Sequence, residues 1–197
     1  MKLFIPDTYN NYNIVSIDPG LNNLGIAIFN MKSTTSSDFF NDVNTIEAFT
    51  LKNDKLKDPA YITNDICSDR FIKLAKIQEA MTYILNRYRP NQVLCESPFF
   101  NRLRPSAYAS LVEVINTIQY CIYQYNTNVY FKTVEPLLVK KRVGAGYVNG
   151  KQDMKTAIMN KPEIINKLKN DVNLLDEHAI DAIAIGYGYL KSIGEIK

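Results

Sequence analysis

Four side chains in this chain combine a metal-capable type with a place beside an apolar run: Asp18, Glu96, His178 and Asp181. Asp18 follows Ile14, Val15 and Ile17 and is closed off by Pro19-Gly20, so a carboxylate stands where a short buried strand ends. A charge inside an apolar strand is costly unless it is paired or binds a cation, and the plain alternative is a turn-capping aspartate. Glu96 closes a second short strand, Asn91–Cys95, in the same manner. Asp176-Glu-His-Ala-Ile-Asp181 opens an otherwise apolar helix, and the spacing of three puts His178 and Asp181 on one face. Asp176 and Glu177 read as its cap and first turn, which leaves Asp181 unexplained a full turn inside. If the segments converge, oxygen donors with one imidazole suit Mg2+ or Mn2+ rather than zinc. Two such ions ~3.5–4 Å apart would stabilise the attacking and leaving oxygens of an in-line phosphodiester displacement.

The elements that must bring these groups together follow from the periodicity. Leu24–Phe29 resumes a second strand after the Asp18-Pro-Gly turn, and Thr45–Leu51 forms a third, giving an antiparallel meander. Met31–Asp42 is a polar loop tip, and Lys52–Asn64, broken by Pro59, is a loop. From Asp65 to Tyr88 the apolar residues recur at helical spacing until Pro90. Asn91–Cys95 is a strand, Ser97–Pro105 a loop with two aromatics and two arginines, and Ala107–Tyr125 a long helix capped by Ser106. Asn128–Val134 is a further strand. Pro136–Val143 is a short helix running into a glycine loop, 144–150. Lys151–Met159 and Pro162–Leu168 are short helices, and Glu177–Lys191 is the last. The expected fold is α/β, a mixed sheet in which a three-stranded antiparallel meander joins parallel strands, flanked by helices.

Composition sets the outer limits. The chain has 197 residues, 46% of them hydrophobic, without repeats or a second compositional regime, which predicts a single domain over 1–197. A net charge of +3 permits a polyanionic partner without demanding one. Cys67, Cys95 and Cys121 lack metal-ligand spacing and read as reduced core thiols. No stretch is apolar and long enough for a signal peptide or a membrane span, so a cytoplasmic protein is expected, with no membrane partner.

With these motifs in view, the chain resembles the RuvC family of crossover-junction endonucleases, within the ribonuclease H-like nucleases, from Ile14 to about Tyr189. The resemblance implies that Asp18, Glu96, His178 and Asp181 hold two divalent ions, Mg2+ or Mn2+. Some members carry Asp where this chain has His178. Pro136–Gly146 with Lys151 resembles the family segment whose two functional lysines lie eleven positions apart, as Lys140 and Lys151 do. Lysines beside a glycine loop at helix ends suit a scissile phosphate and its neighbour, with Lys141 and Arg142 as further DNA contacts. Phe99 stands three positions after Glu96, where the family uses a phenylalanine against opened bases, and Arg102 and Arg104 suit phosphates. Phe100 is the better candidate for a core residue.

The resemblance further implies a homodimer formed through the helix at 107–125, whose apolar residues exceed what one sheet face can cover. The implied activity is paired nicking of four-way (Holliday) junctions, with a broader branched-DNA or flap nuclease as the alternative. Actin-like ATPases share the Asp-x-Gly hairpin, but this chain has eight glycines, three of them in 144–150, and no second such turn. A non-catalytic DNA-binding module fits poorly with four retained ligand types.

Overall fold

The computed structural model describes residues 12–32, 39–60, 67–100, 102–103, 105–145 and 151–194, the side chains of 151–153 excepted. Among these described residues five strands form one sheet: β1 (Tyr12–Asp18), β2 (Asn23–Met31), β3 (Val43–Lys52), β4 (Gln92–Glu96) and β5 (Tyr130–Val134). Their order is β3-β2-β1-β4-β5. The first three strands pair antiparallel, whereas β4 pairs parallel with both β1 and β5. β1 is therefore the strand at which the sheet changes sense. The expected meander with added parallel strands is what forms.

Among the described residues six α-helices cover the two faces: α1 (Asp69–Tyr88), α2 (Pro105–Tyr125), α3 (Pro136–Val143), α4 (Lys151–Met159), α5 (Pro162–Ile165) and α6 (Glu177–Gly194). Side chains alternate along a strand, so one sheet feeds two cores. Val15, Ile17, Ile26, Val93 and Cys95 pack against Met81 and Leu85 of α1 and Val114 and Ile118 of α2. Ile14, Ala27, Phe29 and Leu94 pack on the other face against α6, with Val139 of α3 and Ile158 of α4.

Several boundaries differ from the expected ones for local reasons. α1 begins at Asp69, where the Ser68 hydroxyl accepts the Phe71 N–H; the expected start at Asp65 lies outside the described residues. α2 begins at Pro105, whose missing N–H costs nothing in a first turn, so Ser106 lies inside the helix and is not its cap. α5 ends at Ile165, short of Leu168, because the chain there turns to the sheet edge. Ile46 N–H donates to the Lys167 carbonyl at 2.7 Å and Lys169 N–H to the Ile46 carbonyl at 2.8 Å. α3 ends at Gly144, whose φ of 78° is a left-handed cap; residues 146–150 of the expected glycine loop lie outside the described set. Cys95 and Cys121 are buried as expected, whereas Cys67 is only half-buried. Among the described residues no helix is long and apolar enough to cross a membrane.

Candidate active site

Strand alternation and register place the two strand carboxylates. Ile17 pairs with Cys95 across the parallel β1–β4 ladder, so Asp18 and Glu96, each one residue further on, leave adjacent strands at the same end. Ser16 and Gln92 point to the α6 face, since the Ser16 hydroxyl donates to the Ala182 carbonyl at 2.6 Å and the Gln92 amide to the Tyr189 hydroxyl at 2.7 Å. Period two then carries Asp18 and Glu96 to the face that α6 covers.

The start of α6 is fixed from three sides. Asp176 accepts the Ala179 N–H at 3.2 Å, which makes it the cap that the sequence suggested. The Thr50 hydroxyl of β3 donates to the same carboxylate. Gly25, opposite Asp18 in the β1–β2 pairing, allows the helix backbone to touch the sheet: a Cβ there would lie 2.0 Å from the His178 carbonyl oxygen. Gly186, further along, faces the Phe29 ring just as closely, with 2.1 Å to a virtual Cβ. Small residues thus let α6 descend onto the strands that carry the carboxylates.

The result is a compact set of titratable groups. His178 Nδ1 lies 2.8 Å from Asp18 Oδ2, and the Asn23 amide nitrogen lies 3.3 Å from His178 Nε2. An amide nitrogen donates, so Nε2 accepts and the Nδ1–H donates to Asp18. The hydrogen bond to Asp18 raises the His178 pKa above its ordinary value. Burial pushes the Glu96 carboxyl up to about 8, helped by the charges of Asp18 and Asp181, while Lys140 draws it down. Burial likewise pushes Asp181 up to about 7, with Asp18 adding to the rise and His178 and Lys140 opposing it. Three carboxylates share a half-buried space with too little positive charge.

Among the described residues no three His, Cys, Asp or Glu side chains converge as they stand on a point where an ion could sit; Asp18 and His178 are turned to each other. The donor set nevertheless fits a hard divalent cation, because carboxylate oxygens predominate and burial outweighs the opposing charges of Lys140 and His178 at Glu96 and Asp181.

Around this centre the structure sorts the remaining candidates. Lys140 is exposed in the last turn of α3 and acts electrostatically on both Glu96 and Asp181. Lys141 is exposed beside it and Arg142 is half-buried. Lys151 is the first residue of α4, its side chain outside the described set, as is all of Arg104. Phe99 is 73% exposed in the loop after Glu96, and Arg102 is exposed in the same loop. Phe100 is not a core residue: it is 54% exposed and leans edge-on against Tyr108 of α2, ring centroids 5.3 Å apart. Sequence reasoning missed Asn23 and Gly25. The signal for Gly25 was an isolated glycine within a strand, which marks a close approach by another backbone.

Compared with solved structures, the chain is similar to RuvC of Thermus thermophilus in complex with a Holliday junction substrate, with a TM-score of 0.62, 16% identity, and 92% of this chain and 94% of that one covered. The chain has the RuvC fold. A second RuvC structure from Thermus thermophilus matches with a TM-score of 0.59 and 18% identity over 89% of this chain and 92% of that one. The yeast mitochondrial Holliday junction resolvase matches with a TM-score of 0.56 and 10% identity over 95% of this chain and 82% of the other. By sequence, no family model and no curated protein matches. The RuvC likeness therefore lies in the path of the backbone.

Proposed function

We propose that the chain is a metal-dependent, structure-selective DNA endonuclease, a crossover-junction endodeoxyribonuclease that resolves four-way junctions by paired symmetric nicks. The observation that carries this reading is the meeting of Asp18 and Glu96, at adjacent parallel strand ends, with His178 and Asp181 of α6 in a RuvC fold.

Asp18, Glu96, His178 and Asp181 would hold two Mg2+ or Mn2+ ions, whose charge when bound favours ionised water and offsets the charge developing on phosphate oxygens. The chain's own residues do the rest. Lys140, already near the carboxylates, presents an ammonium to the scissile phosphate, and Lys151 at the start of α4 is assigned the neighbouring role. Phe99, its ring free of the core, stacks on a base exposed at the branch, while Arg102, Arg104, Lys141 and Arg142 hold backbone phosphates. Homodimerisation through α2 would set two sites on opposed strands; Ala107 and Ala109 there are exposed, while Val114, Ile118 and Ile122 face inward.

The test is incubation with labelled four-way junction, flap, duplex and single strand in Mg2+, Mn2+ or EDTA. Symmetric paired nicks confined to the junction are expected, lost with EDTA and in Asp18→Asn, Glu96→Gln and Asp181→Asn, which keep junction binding. Equal cutting of flaps would favour the broader branched-DNA nuclease. Cleavage undiminished in any of the three variants would refute the site.

A further inference from the structure

α6 crosses the sheet strand by strand and meets each strand through a specific contact. Its cap, Asp176, accepts the Thr50 hydroxyl of β3, and the His178 carbonyl rests on Gly25 of β2. The Ala182 carbonyl accepts the Ser16 hydroxyl of β1, and the Tyr189 hydroxyl accepts the Gln92 amide of β4. The order along the helix is the order of the strands, β3-β2-β1-β4. Among the described residues the buried polar side chains are Ser16, Asn53 and Gln92, and two of these three bond to α6.

Ser16 is the contact nearest the ligands that uses no ligand atom. It is fully buried, and alanine would fill the same place without a polar group to satisfy. Ala182 lies inside α6, where its carbonyl already has the N–H four residues on as a helical partner. The hydroxyl therefore rescues no orphaned group. What it adds is direction: a 2.6 Å bond, against 3.4 Å to the Ala27 carbonyl of β2, sets the height and rotation of the helix on the strand. Ser16 stands two residues before Asp18 on the same side of β1, and Ala182 is the residue after Asp181. The His178–Asp18 hydrogen bond joins the same two elements, but both of its members are proposed ligands. Asp18 and Asp181 also repel each other when ionised, so the ligand set itself pushes α6 away from β1. Ser16 opposes that push.

We propose that Ser16 is a positioning residue, whose hydroxyl holds α6 on β1 so that Asp181 stays beside Asp18 and the site is preset for a divalent cation. The inference rests on the nuclease reading above. A site held in place before the ion arrives loses less of the binding free energy to ordering. The distal contact, Gln92 to Tyr189, has no such role. Tyr189 is eight residues beyond Asp181, ~12 Å along the helix, and Gln92 lies at the opposite end of β4 from Glu96.

The experiment compares the full chain with Ser16→Ala and Tyr189→Phe by thermal unfolding, by Mn2+ titration calorimetry without DNA, and by the 15N shifts of the His178 imidazole without metal. Ser16→Ala should weaken Mn2+ binding roughly three- to tenfold, the factor of one buried hydrogen bond, and should move the His178 shifts. Tyr189→Phe leaves the buried Gln92 amide without its acceptor, so it should lower Tm at least as much while leaving Mn2+ affinity and the His178 shifts unchanged. Unchanged Mn2+ affinity in Ser16→Ala would overturn the proposal. Equal weakening in both variants would also overturn it, since the effect would then be one of general stability. An unsubstituted chain that binds no Mn2+ would refute the nuclease reading, while the metal-free His178 shifts would still decide whether Ser16 sets the place of α6.

Discussion

Gly25→Ala is the substitution most exposed to the logic of this site. The added Cβ would lie 2.0 Å from the His178 carbonyl oxygen, 2.5 Å from its carbon and 3.1 Å from the Asp18 Cβ. The first two are backbone atoms and cannot swing aside. An ordinary carbon–oxygen contact needs about 3.3 Å, so the start of α6 must retreat by roughly 1.3 Å. That motion is resisted by the Asp176 cap with its Thr50 hydrogen bond and by the Ser16 to Ala182 bond further along. Overpacking of this kind costs about 1–3 kcal/mol, which for a chain of this size lowers Tm by roughly 2–12 °C. The same retreat pulls His178 from Asp18 and shifts Asp181, and a displacement near 1 Å at reacting groups costs on the order of 100-fold in rate. Thermal unfolding and junction-cleavage rates measured below the lowered Tm separate the two effects. Gly144→Ala is the control: it strains a left-handed cap by about 1–2 kcal/mol, has nothing within 4 Å of the new Cβ, and should leave cleavage intact. A Gly25→Ala protein with unchanged Tm and rate would refute the claim that close approach at this glycine sets the site.

Three further outcomes follow from the electrostatics. Glu96 and Asp181 are raised above their unfolded values, so the folded state binds more protons and stability falls as pH rises, from about 4.5 to about 8 for Glu96 and from 3.8 to about 7 for Asp181. The raised His178 has the same sign, its contribution lost as pH climbs through its folded pKa; Mg2+ or Mn2+ should therefore raise Tm more at pH 8 than at pH 5, and Glu96→Gln should flatten the metal-free profile in a differential scanning series. Lys140→Ala removes a charge that lowers both carboxyls, so their titrations, followed by carboxyl 13C NMR without metal, should move to higher pH; unmoved midpoints would detach Lys140 from the site. His178 is the chain's only histidine, so its imidazole nitrogens can be read singly by 15N NMR, where the Nδ1–H form is expected; cleavage should favour Mn2+ over Mg2+, with His178→Asp shifting that preference toward Mg2+ and His178→Ala severely impaired.

Much of this was legible in the sequence, and the rest was not for definable reasons. β-branched runs ending in Asp18 and Glu96 exposed the strands, and the spacing of His178 and Asp181 exposed the helix face. What periodicity cannot carry is the partner of an edge. The end of α5 depends on backbone pairing between Ile46 and the chain at 167–169, more than a hundred residues away. Gly25 and Asn23 escaped for the same reason, since their neighbours come from α6. Phe100 reads as a better core candidate than Phe99, but in the loop after Glu96 it stays exposed and rests edge-on against Tyr108.

The sheet's two cores bear on how this chain tolerates change. α6 and α3 bring His178, Asp181 and Lys140 to the site through the core that holds Phe29 and Leu94. The core between the sheet and α1 and α2 contributes none of the four proposed ligands and needs only volume and apolar character from Met81, Leu85, Val114 and Ile118. Volume-conserving swaps there should move Tm and leave the cleavage rate alone, and they can accumulate as long as the sheet stays covered. A chain divided in this way can change freely in one half while the other half keeps its four proposed ligands in place.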